Sequence, residues 1–323
     1  MKRRKLGFTP LEMKVSSRGS PVRGQWPYGA SKRFLTGFTM VEILTVVGII
    51  AILVAVLIPA LTMVRRIAKE TQQKAQLTAI DLALIAFKAD YGDYPPSDWP
   101  LGSNYCGAQK LTEALLGWDL LGFHPDSEFT SNGRTKDGSR EIYHDPLDPD
   151  DPDDEKNLKE RRGPYLELGT ANVFRLGQVS ADKPGLFDDT APLKEDTFVI
   201  CDVFGIKKIT LAKGETAKAG TPILYYRANT SSKSIEGSGV YERIYNGYDN
   251  QILINLVIDE KNLTPDQRNN TLANATNRFE FFCDYITDPK VTAIPWPYRP
   301  DSYILISAGA DGLYGTSDDI CNF

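Results

Sequence analysis

One apolar stretch dominates the pattern of hydrophobic and polar positions along the chain. It runs from Phe38 to Val64, FTMVEILTVVGIIAILVAVLIPALTMV, and its 27 residues include a single charged one, Glu42. A helix of about 20 apolar residues is long enough to cross the hydrocarbon core of a bilayer. The sequence therefore predicts one transmembrane helix over residues 38–64, and no other window of the chain is comparable.

Beyond Val64 the pattern becomes that of an amphipathic helix. Every third or fourth position is apolar and charged residues fill the other face, as a helix with one buried stripe requires. Gly92 and the Pro95-Pro96 pair then end the pattern. We therefore predict that the helix continues over residues 65–92 and packs on the body of the protein. The stripe consists of Leu77, Ile80, Leu84, Phe87 and Tyr91.

The rest of the chain, residues 93–323, reads as a mixed body. Apolar spacing predicts helices at Lys110–Leu121 and Thr271–Ile286, and the acidic, proline-rich segment Asp145–Asp154 predicts a loop. The predicted fold class is α+β, with a long N-terminal helix packed on a small antiparallel sheet and an extended, loop-rich body. The predicted strands are Thr197–Phe204, Ile223–Arg227, Ile252–Ile258 and Tyr303–Ser307.

Composition and charge exclude several classes of protein. A chain of 323 residues with 10% aromatic residues can build a core and is not disordered. Its mean hydropathy of -0.30 excludes a multi-span membrane protein. The net charge is -5, yet residues 1–37 carry +8, so the remainder carries -13. An acidic body argues against a nucleic-acid partner.

The flanks of the apolar run predict its orientation. Lys32 and Arg33 precede the run, so the positive-inside rule places the N-terminus in the cytoplasm and the body on the other side. No A-x-A pattern follows the run, as an ordinary secretory signal would require. The first cysteine, Cys106, is too distant for a lipoprotein signal.

A motif marks the start of the apolar run. Residues 37–42 read GFTMVE, basic residues precede them, and Pro59 lies within the run that follows. This arrangement resembles the signature of the type IV prepilins and type II secretion pseudopilins. The resemblance implies cleavage by a prepilin peptidase between Gly37 and Phe38, and N-methylation of Phe38. It also implies a pilin-like fold and a role in filament assembly for Glu42 and Pro59.

The leader defined by this cleavage, residues 1–37, is long for the family. It contains a partial second copy of the motif at Gly7–Glu12, but no apolar run follows that copy and Pro10 disfavours a continuing helix. We therefore interpret only the copy at Gly37 as the cleavage site. Translation from Met13 is an alternative that the sequence leaves open.

Electrostatics gives Glu42 a reason to be in an apolar helix. After cleavage, Phe38 would carry a cationic amine, and buried charges persist mainly when they are paired. We expect the amine of one subunit to pair with Glu42 of its neighbour in the dry core of a filament. Pro59 lacks a backbone N–H, so we expect the helix to bend or unwind more easily at that position during assembly.

A Gly- and Asp-rich segment, residues 307–320, follows the last predicted strand. Three aspartates fall within nine residues, and such clustered oxygen ligands suit Ca²⁺, although an ordinary acidic surface loop is the alternative. The segment resembles the C-terminal calcium loop of the major type II secretion pseudopilin. The resemblance implies side-chain ligands at Asp311, Asp318 and Asp319, and main-chain carbonyl ligands near Ala308 and Thr316.

The cysteines and histidines suggest no catalytic centre. The four cysteines all lie in the predicted exported body, where up to two disulfides could form with a connectivity that the sequence leaves open. The two histidines, His124 and His144, lie in loop-like segments without a nucleophile motif beside them. We therefore predict a protein that is not an enzyme.

These features together predict a pseudopilin-type filament subunit of a type II secretion system. It would span the inner membrane once with its body in the periplasm, and then enter a periplasmic or extracellular filament. Expected partners are other pilin or pseudopilin subunits, the prepilin peptidase and the inner-membrane secretion assembly platform. One alternative is a type IV pilin or minor pilin for adhesion, motility or DNA uptake. The other is a membrane-anchored binding module or enzyme, with the unusually long middle region 118–290 as its active part.

Overall fold

The computed structural model describes residues 37–99, 104–144, 150–180, 182–210, 214–235, 242–274 and 276–323. The predicted leader up to residue 36, with its second motif copy, lies outside the described residues, as does the first half of the predicted acidic loop, residues 145–149. The helices are α1 Met40–Tyr91, α2 Gly107–Leu116, α3 Pro152–Glu160, α4 Leu168–Ala171, α5 Gln251–Glu260, α6 Pro265–Asn269 and α7 Arg278–Ile286. The strands are β1 Val173–Arg175, β2 Phe198–Ile200, β3 Lys207–Thr210, β4 Thr216–Ala219, β5 Leu224–Arg227, β6 Tyr303–Ser307 and β7 Ile320–Cys321.

The chain divides into two compact units, one up to Leu57 and one from Ile58 to Phe323. In the first unit, the described residues 37–57 are all exposed, and residues from Met40 onward are helical. Helix α1 is long and apolar enough to cross a membrane, and none of its most apolar window is buried. Apolar side chains on every face are typical of a helix that contacts lipid. The prediction of one membrane-spanning helix is thus confirmed at the level of length and composition.

In the second unit, the later part of α1 supplies one wall of the core. The predicted stripe is buried at Leu77, Ile80, Leu84 and Phe87, with Tyr91 at its partly buried end. These residues pack with α2 and with one face of the sheet. Two buried glutamines complete the face: Gln76 Nε2, for example, donates to the carbonyl of Cys201 at 2.9 Å. The predicted packing of the amphipathic segment on the body is confirmed.

A three-stranded antiparallel sheet, in the order β5-β6-β7, separates two clusters of buried side chains. All five residues of β6 are buried, and successive side chains of a strand point to opposite faces. Tyr303 and Leu305 therefore join the cluster around α1, whereas Ile304 and Ile306 join the second cluster. Two further two-stranded antiparallel sheets, β1-β2 and β3-β4, make up the remaining strands. The described fold is α+β and is compatible with a pilin-like layout.

One predicted strand is wrong. Residues Ile252–Ile258 belong to α5, in which Leu253, Ile254, Val257 and Ile258 are buried. These positions repeat at helical spacing, and a short continuous apolar run does not distinguish a buried strand from a buried helix. The prediction was therefore correct that this segment is buried, but it assigned the repeat of a strand to apolar positions that have the repeat of a helix.

Other predicted elements have different bounds. The strand predicted at Thr197–Phe204 is only three residues long in the sheet, β2. Helix α2 ends at Leu116 because Gly117 adopts a φ of +94°, which a helix cannot continue. Of the helix predicted at Thr271–Ile286, only α7 is helical. The second half of the predicted acidic loop begins helix α3, because Asp151 caps it by accepting from Asp153 N at 2.9 Å.

All four cysteines lie in the described residues and are free thiols. Cys106, Cys201 and Cys283 are buried, and Cys321 is partly buried in β7. Burial raises the pKa of Cys106 and of Cys321 to about 12. The disulfides that the sequence permitted do not form between these side chains in this structure, where the cysteines act as apolar core residues.

Candidate functional site

The residues of the N-terminal motif lie at the first turn of α1. Gly37 and Phe38 precede the helix, and Phe38 is 79% exposed. Glu42 Oε2 accepts from Thr39 N at 2.8 Å and from Thr39 Oγ1 at 2.9 Å, while Thr39 Oγ1 accepts from Glu42 N at 3.2 Å. These reciprocal bonds form a capping box. The role of Glu42 in capping α1 was not predicted, although the T-x-x-E pattern of a capping box is visible at residues 39–42.

The capping box fixes where the Glu42 carboxylate lies. Both bonds that Glu42 accepts end on Oε2, so in the described chain Oε1 has no hydrogen-bond partner. The carboxylate therefore lies within one turn of Phe38 and keeps one oxygen for a further donor. Pro59 is inside α1, which continues through it, and Thr62 Oγ1 donates to the Pro59 carbonyl at 2.8 Å.

The Gly- and Asp-rich segment forms the loop between β6 and β7, whose register pairs Ser307 with Ile320. The loop folds back on itself at Gly309, which has a φ of +66°. A Cβ at Gly309 would lie 2.2 Å from the carbonyl oxygen of Asp318, so only glycine fits there. The turn brings the two ends of the loop, and with them two of the three aspartates, together.

Asp318 is the centre of the loop's hydrogen bonding. Its Oδ2 accepts from Ala310 N at 2.7 Å and from Asp311 N at 3.0 Å, and its Oδ1 accepts from Thr316 Oγ1 at 2.7 Å. Burial opposes ionisation, but the Thr316 hydroxyl and these amides lower the pKa of Asp318. Burial and the nearby Asp318 carboxylate raise the pKa of Asp311. The two carboxylates thus lie close enough to repel each other when both are charged.

Asp319 faces a different partner. Its Oδ2 accepts from Gly315 N at 2.7 Å and from the Tyr285 hydroxyl at 2.6 Å. Burial raises the pKa of Asp319 to about 6. Tyr285 belongs to α7, so this contact joins the loop to the second core cluster. Sequence spacing carried no signal for Tyr285, because it lies 34 positions from Asp319.

Two other groups complete the loop. Ala308 is fully buried at the end of β6. The Lys261 ammonium, which follows α5, donates to the main-chain carbonyl of Asp311. Burial lowers the pKa of Lys261, and the charges of Asp311 and Asp318 oppose that effect. The contact of Lys261 with the loop was not predicted, because the segment before Lys261 was predicted to be a strand.

The oxygen atoms of this loop are of the types that bind a hard cation. Their positions fit a cation site only in part. Carboxylates, a threonine hydroxyl and main-chain carbonyls are the oxygen ligands that Ca²⁺ takes. Asp311 and Asp318 lie close together. Asp319 accepts from Tyr285 through one oxygen, and its other oxygen lies 3.3 Å from the Thr316 hydroxyl that donates to Asp318. Within the described part of the chain, no group of three or more His, Cys, Asp or Glu side chains is arranged to hold a metal ion.

Neither histidine is exposed, although both lie outside the helices and strands. His124 is buried, its Nδ1 accepts from Asp126 N at 3.1 Å, and its Nε2 lies 3.7 Å from a Glu160 carboxylate oxygen. Burial lowers the pKa of His124. His144 contacts the buried Asp154 carboxylate. The contacts of His124 with Glu160 and of His144 with Asp154 hold α3 against the segment that precedes it.

No family model, no curated protein and no solved structure matches the chain. The functional assignment below therefore depends on this chain's own residues and geometry.

Proposed function

We propose that the protein is a pseudopilin-type filament subunit of a type II secretion system, processed between Gly37 and Phe38. One observation carries the proposal: the motif GFTMVE at residues 37–42 leads into the first turn of a helix that is apolar enough to span a membrane. Phe38 is exposed ahead of the helix, where a peptidase could reach the bond before it. The body, an α+β unit packed on the second part of α1, is what a filament would display.

Glu42 would join neighbouring subunits. After cleavage the Phe38 amine would stand one residue before Thr39, next to the carboxylate that caps α1. Thr39 occupies Oε2 of Glu42, which leaves Oε1 for the amine of a neighbouring subunit. Such a pair would neutralise two charges in an apolar filament core and would fix the stagger between subunits.

The test is a substitution that removes this charge and keeps the shape. Glu42→Gln should be cleaved and inserted like the wild type, but should fail to enter filaments, as measured by cross-linked ladders of subunits in the membrane fraction. Glu70→Gln is the matched control, because Glu70 lies further along α1 and pairs with Arg66 of the same helix at 2.8 Å. Normal filament assembly by Glu42→Gln would refute the role given to Glu42.

We further propose that the loop of residues 307–320 binds Ca²⁺. Asp311 and Asp318 are the carboxylates that the arrangement favours as ligands, with main-chain carbonyls near Ala308 and Thr316. The ion would offset the repulsion between the two carboxylates. Asp319, as found here, orders the loop through Tyr285 and Gly315. Calcium titration of the full chain, followed by calorimetry, tests the proposal, and heat of binding that Asp311→Asn leaves unchanged would contradict it.

Deletion of the gene separates secretion from the alternatives. A secretion pseudopilin predicts that exported proteins accumulate in the periplasm, whereas a type IV pilin or minor pilin predicts the loss of adhesion, motility or DNA uptake. An exported binding module or enzyme predicts neither result. We assign the protein no catalytic activity.

A further inference from the structure

A cavity of about 590 Å³ lies beside α1, in the unit from Ile58 to Phe323. The walls come from the start of the amphipathic part of α1, from α4 and the residue that follows it, from the loop before β3, and from β4. Lys69 and Lys218 line it together with amide side chains such as Gln72 and Asn172. None of the residues that line it carries a carboxylate. The cavity therefore presents cationic and hydrogen-bonding groups, and no carboxylate, beside apolar residues such as Val203 and Phe204.

The lysines around the cavity are not neutralised by ion pairs. Lys69 Nζ donates to the carbonyl of Phe204 at 2.5 Å, a neutral partner. Lys218 stands directly opposite Lys208 in the β3–β4 hairpin, and like charges in that position destabilise a sheet. Among the described residues none of these three lysines forms a salt bridge. A bound anion would relieve the repulsion that the hairpin otherwise retains.

Nearby carboxylates do not remove the positive charge. Asp202 interacts with Lys69, but it is fully buried and burial raises its pKa to about 7, so at neutral pH it is partly protonated and offsets only part of the Lys69 charge. Glu70 is held by Arg66 at 2.8 Å. Residues 65–76 of α1 carry a net charge of +3, although the chain beyond residue 37 carries -13. The cavity thus belongs to a local basic surface on an acidic body.

The distance along α1 places this surface next to the bilayer. Lys69 follows the last residue of the apolar run, Val64, by five positions, which is about 7.5 Å along a helix axis. The hydrocarbon core is about 30 Å thick within a bilayer of about 40–45 Å, so each headgroup layer is about 5–7 Å deep. Lys69 therefore lies at the outer edge of the headgroup layer, and the other residues of α1 that line the cavity, such as Gln72 and Gln76, lie further from the hydrocarbon core.

We propose that this cavity binds the phosphate of an anionic phospholipid headgroup on the body's side of the membrane. Lys69 and Lys218 line the cavity and supply the charge, Lys208 adds to it from the position opposite Lys218, and the Gln72 amide supplies a polar contact for the headgroup. The inference rests on the membrane anchoring in the proposed function and not on filament assembly. Lipid held there would orient the body on the membrane.

The experiment uses the full-length chain in detergent micelles, with phosphatidylglycerol or phosphatidylcholine added and retained lipid counted by native mass spectrometry. The wild-type protein should retain more phosphatidylglycerol than phosphatidylcholine. The double variant Lys208→Gln/Lys218→Gln, which preserves the Lys69–Phe204 bond, should bind it more weakly by about fivefold per lysine, since each cation near an anionic surface contributes about 1 kcal/mol. Lys233→Gln/Lys290→Gln, at two exposed lysines elsewhere, is the matched control and should bind like wild type.

The outcomes separate the possible sources of the anion. Equal retention of phosphatidylglycerol by wild type and the Lys208/Lys218 variant would overturn the proposal. So would displacement of the lipid by millimolar inorganic phosphate, which would identify a site for free phosphate. Unchanged thermal unfolding of the variant excludes misfolding as the cause of lost binding. Extraction of the wild type from membranes by alkaline carbonate would instead refute the membrane anchoring itself.

Discussion

Leu84 and Leu82 offer a sharp test of how α1 packs on the body. The two leucines lie two positions apart on the same helix. Leu84 is completely buried, within the cluster formed by α1, α2 and one face of the sheet, whereas Leu82 is 64% exposed. Leu84→Ala and Leu82→Ala remove the same atoms with the same change in helix propensity. Any difference between them therefore reports burial.

The magnitude follows from the burial of each side chain. Leu→Ala at a fully buried site costs about 3–5 kcal/mol, because the lost transfer energy adds to the cost of the cavity. Exposed substitutions away from special features stay within about 0.5 kcal/mol. For a body of this size, about 2–4 °C in melting temperature corresponds to each kcal/mol. Leu84→Ala should therefore lower the melting temperature by about 6–20 °C, and Leu82→Ala by about 2 °C at most.

Thermal unfolding of the full chain in detergent micelles, followed by tryptophan fluorescence, is the assay. Three of the four tryptophans, Trp99, Trp118 and Trp296, lie in the body and Trp26 lies in the leader, so the change in fluorescence on heating reports mainly the unfolding of the body. Micelles keep the protein monomeric, which prevents contacts between subunits from burying Leu82. Equal shifts for the two variants, or a larger shift for Leu82→Ala, would refute the packing of this part of α1.

Three further predictions follow from buried carboxyl groups and the C-terminal loop. Burial raises the pKa of Glu113 to about 7, so the native state holds a proton that the unfolded chain releases near its ordinary pKa of about 4.3. Stability should fall as the pH rises between these two values, and Glu113→Gln should make denaturant midpoints fall less over that range; an unchanged slope would contradict this. Asp318→Ala should lower the melting temperature with or without calcium, because Asp318 accepts two backbone amides, but only wild type should gain stability when calcium replaces chelator. Equal melting of wild type in calcium and in chelator would disprove the calcium site. Gly309→Ala should destabilise the loop, since its Cβ would lie 2.2 Å from the Asp318 carbonyl oxygen, and a melting temperature equal to that of wild type would show that the turn is not as described.

The long-period features of the fold were predictable from the sequence. A stripe from Leu77 to Tyr91 and an apolar run of 27 residues specify helix α1 and its buried face, because many positions agree on one period. Strand β6 was equally clear, because five consecutive buried residues precede a glycine-rich turn. Helix α5 was not, since its short apolar run fits either period and only the surrounding core decides.

The candidate site was predictable where it is local and not where it depends on tertiary contact. The clustering of three aspartates in the loop is visible in their spacing, whereas the role of Glu42 in assembly is implied by the resemblance to the prepilin signature and stays a prediction. The contacts of Tyr285 and Lys261 with the loop join residues 34 and 50 positions apart, so no local pattern indicates them. Likewise Lys69 and Lys218 meet at one cavity only because Phe204 and the β3–β4 hairpin fold against α1.

The N-terminus of the mature protein tests the central proposal most directly. Mass spectrometry of the chain isolated from membranes would locate it and detect its modification. The proposed processing predicts a chain that begins with N-methylated Phe38, whose helix then starts with the Thr39–Glu42 capping box intact. A chain that still begins at Met1, or one cut beyond Val64, would contradict assembly into a filament.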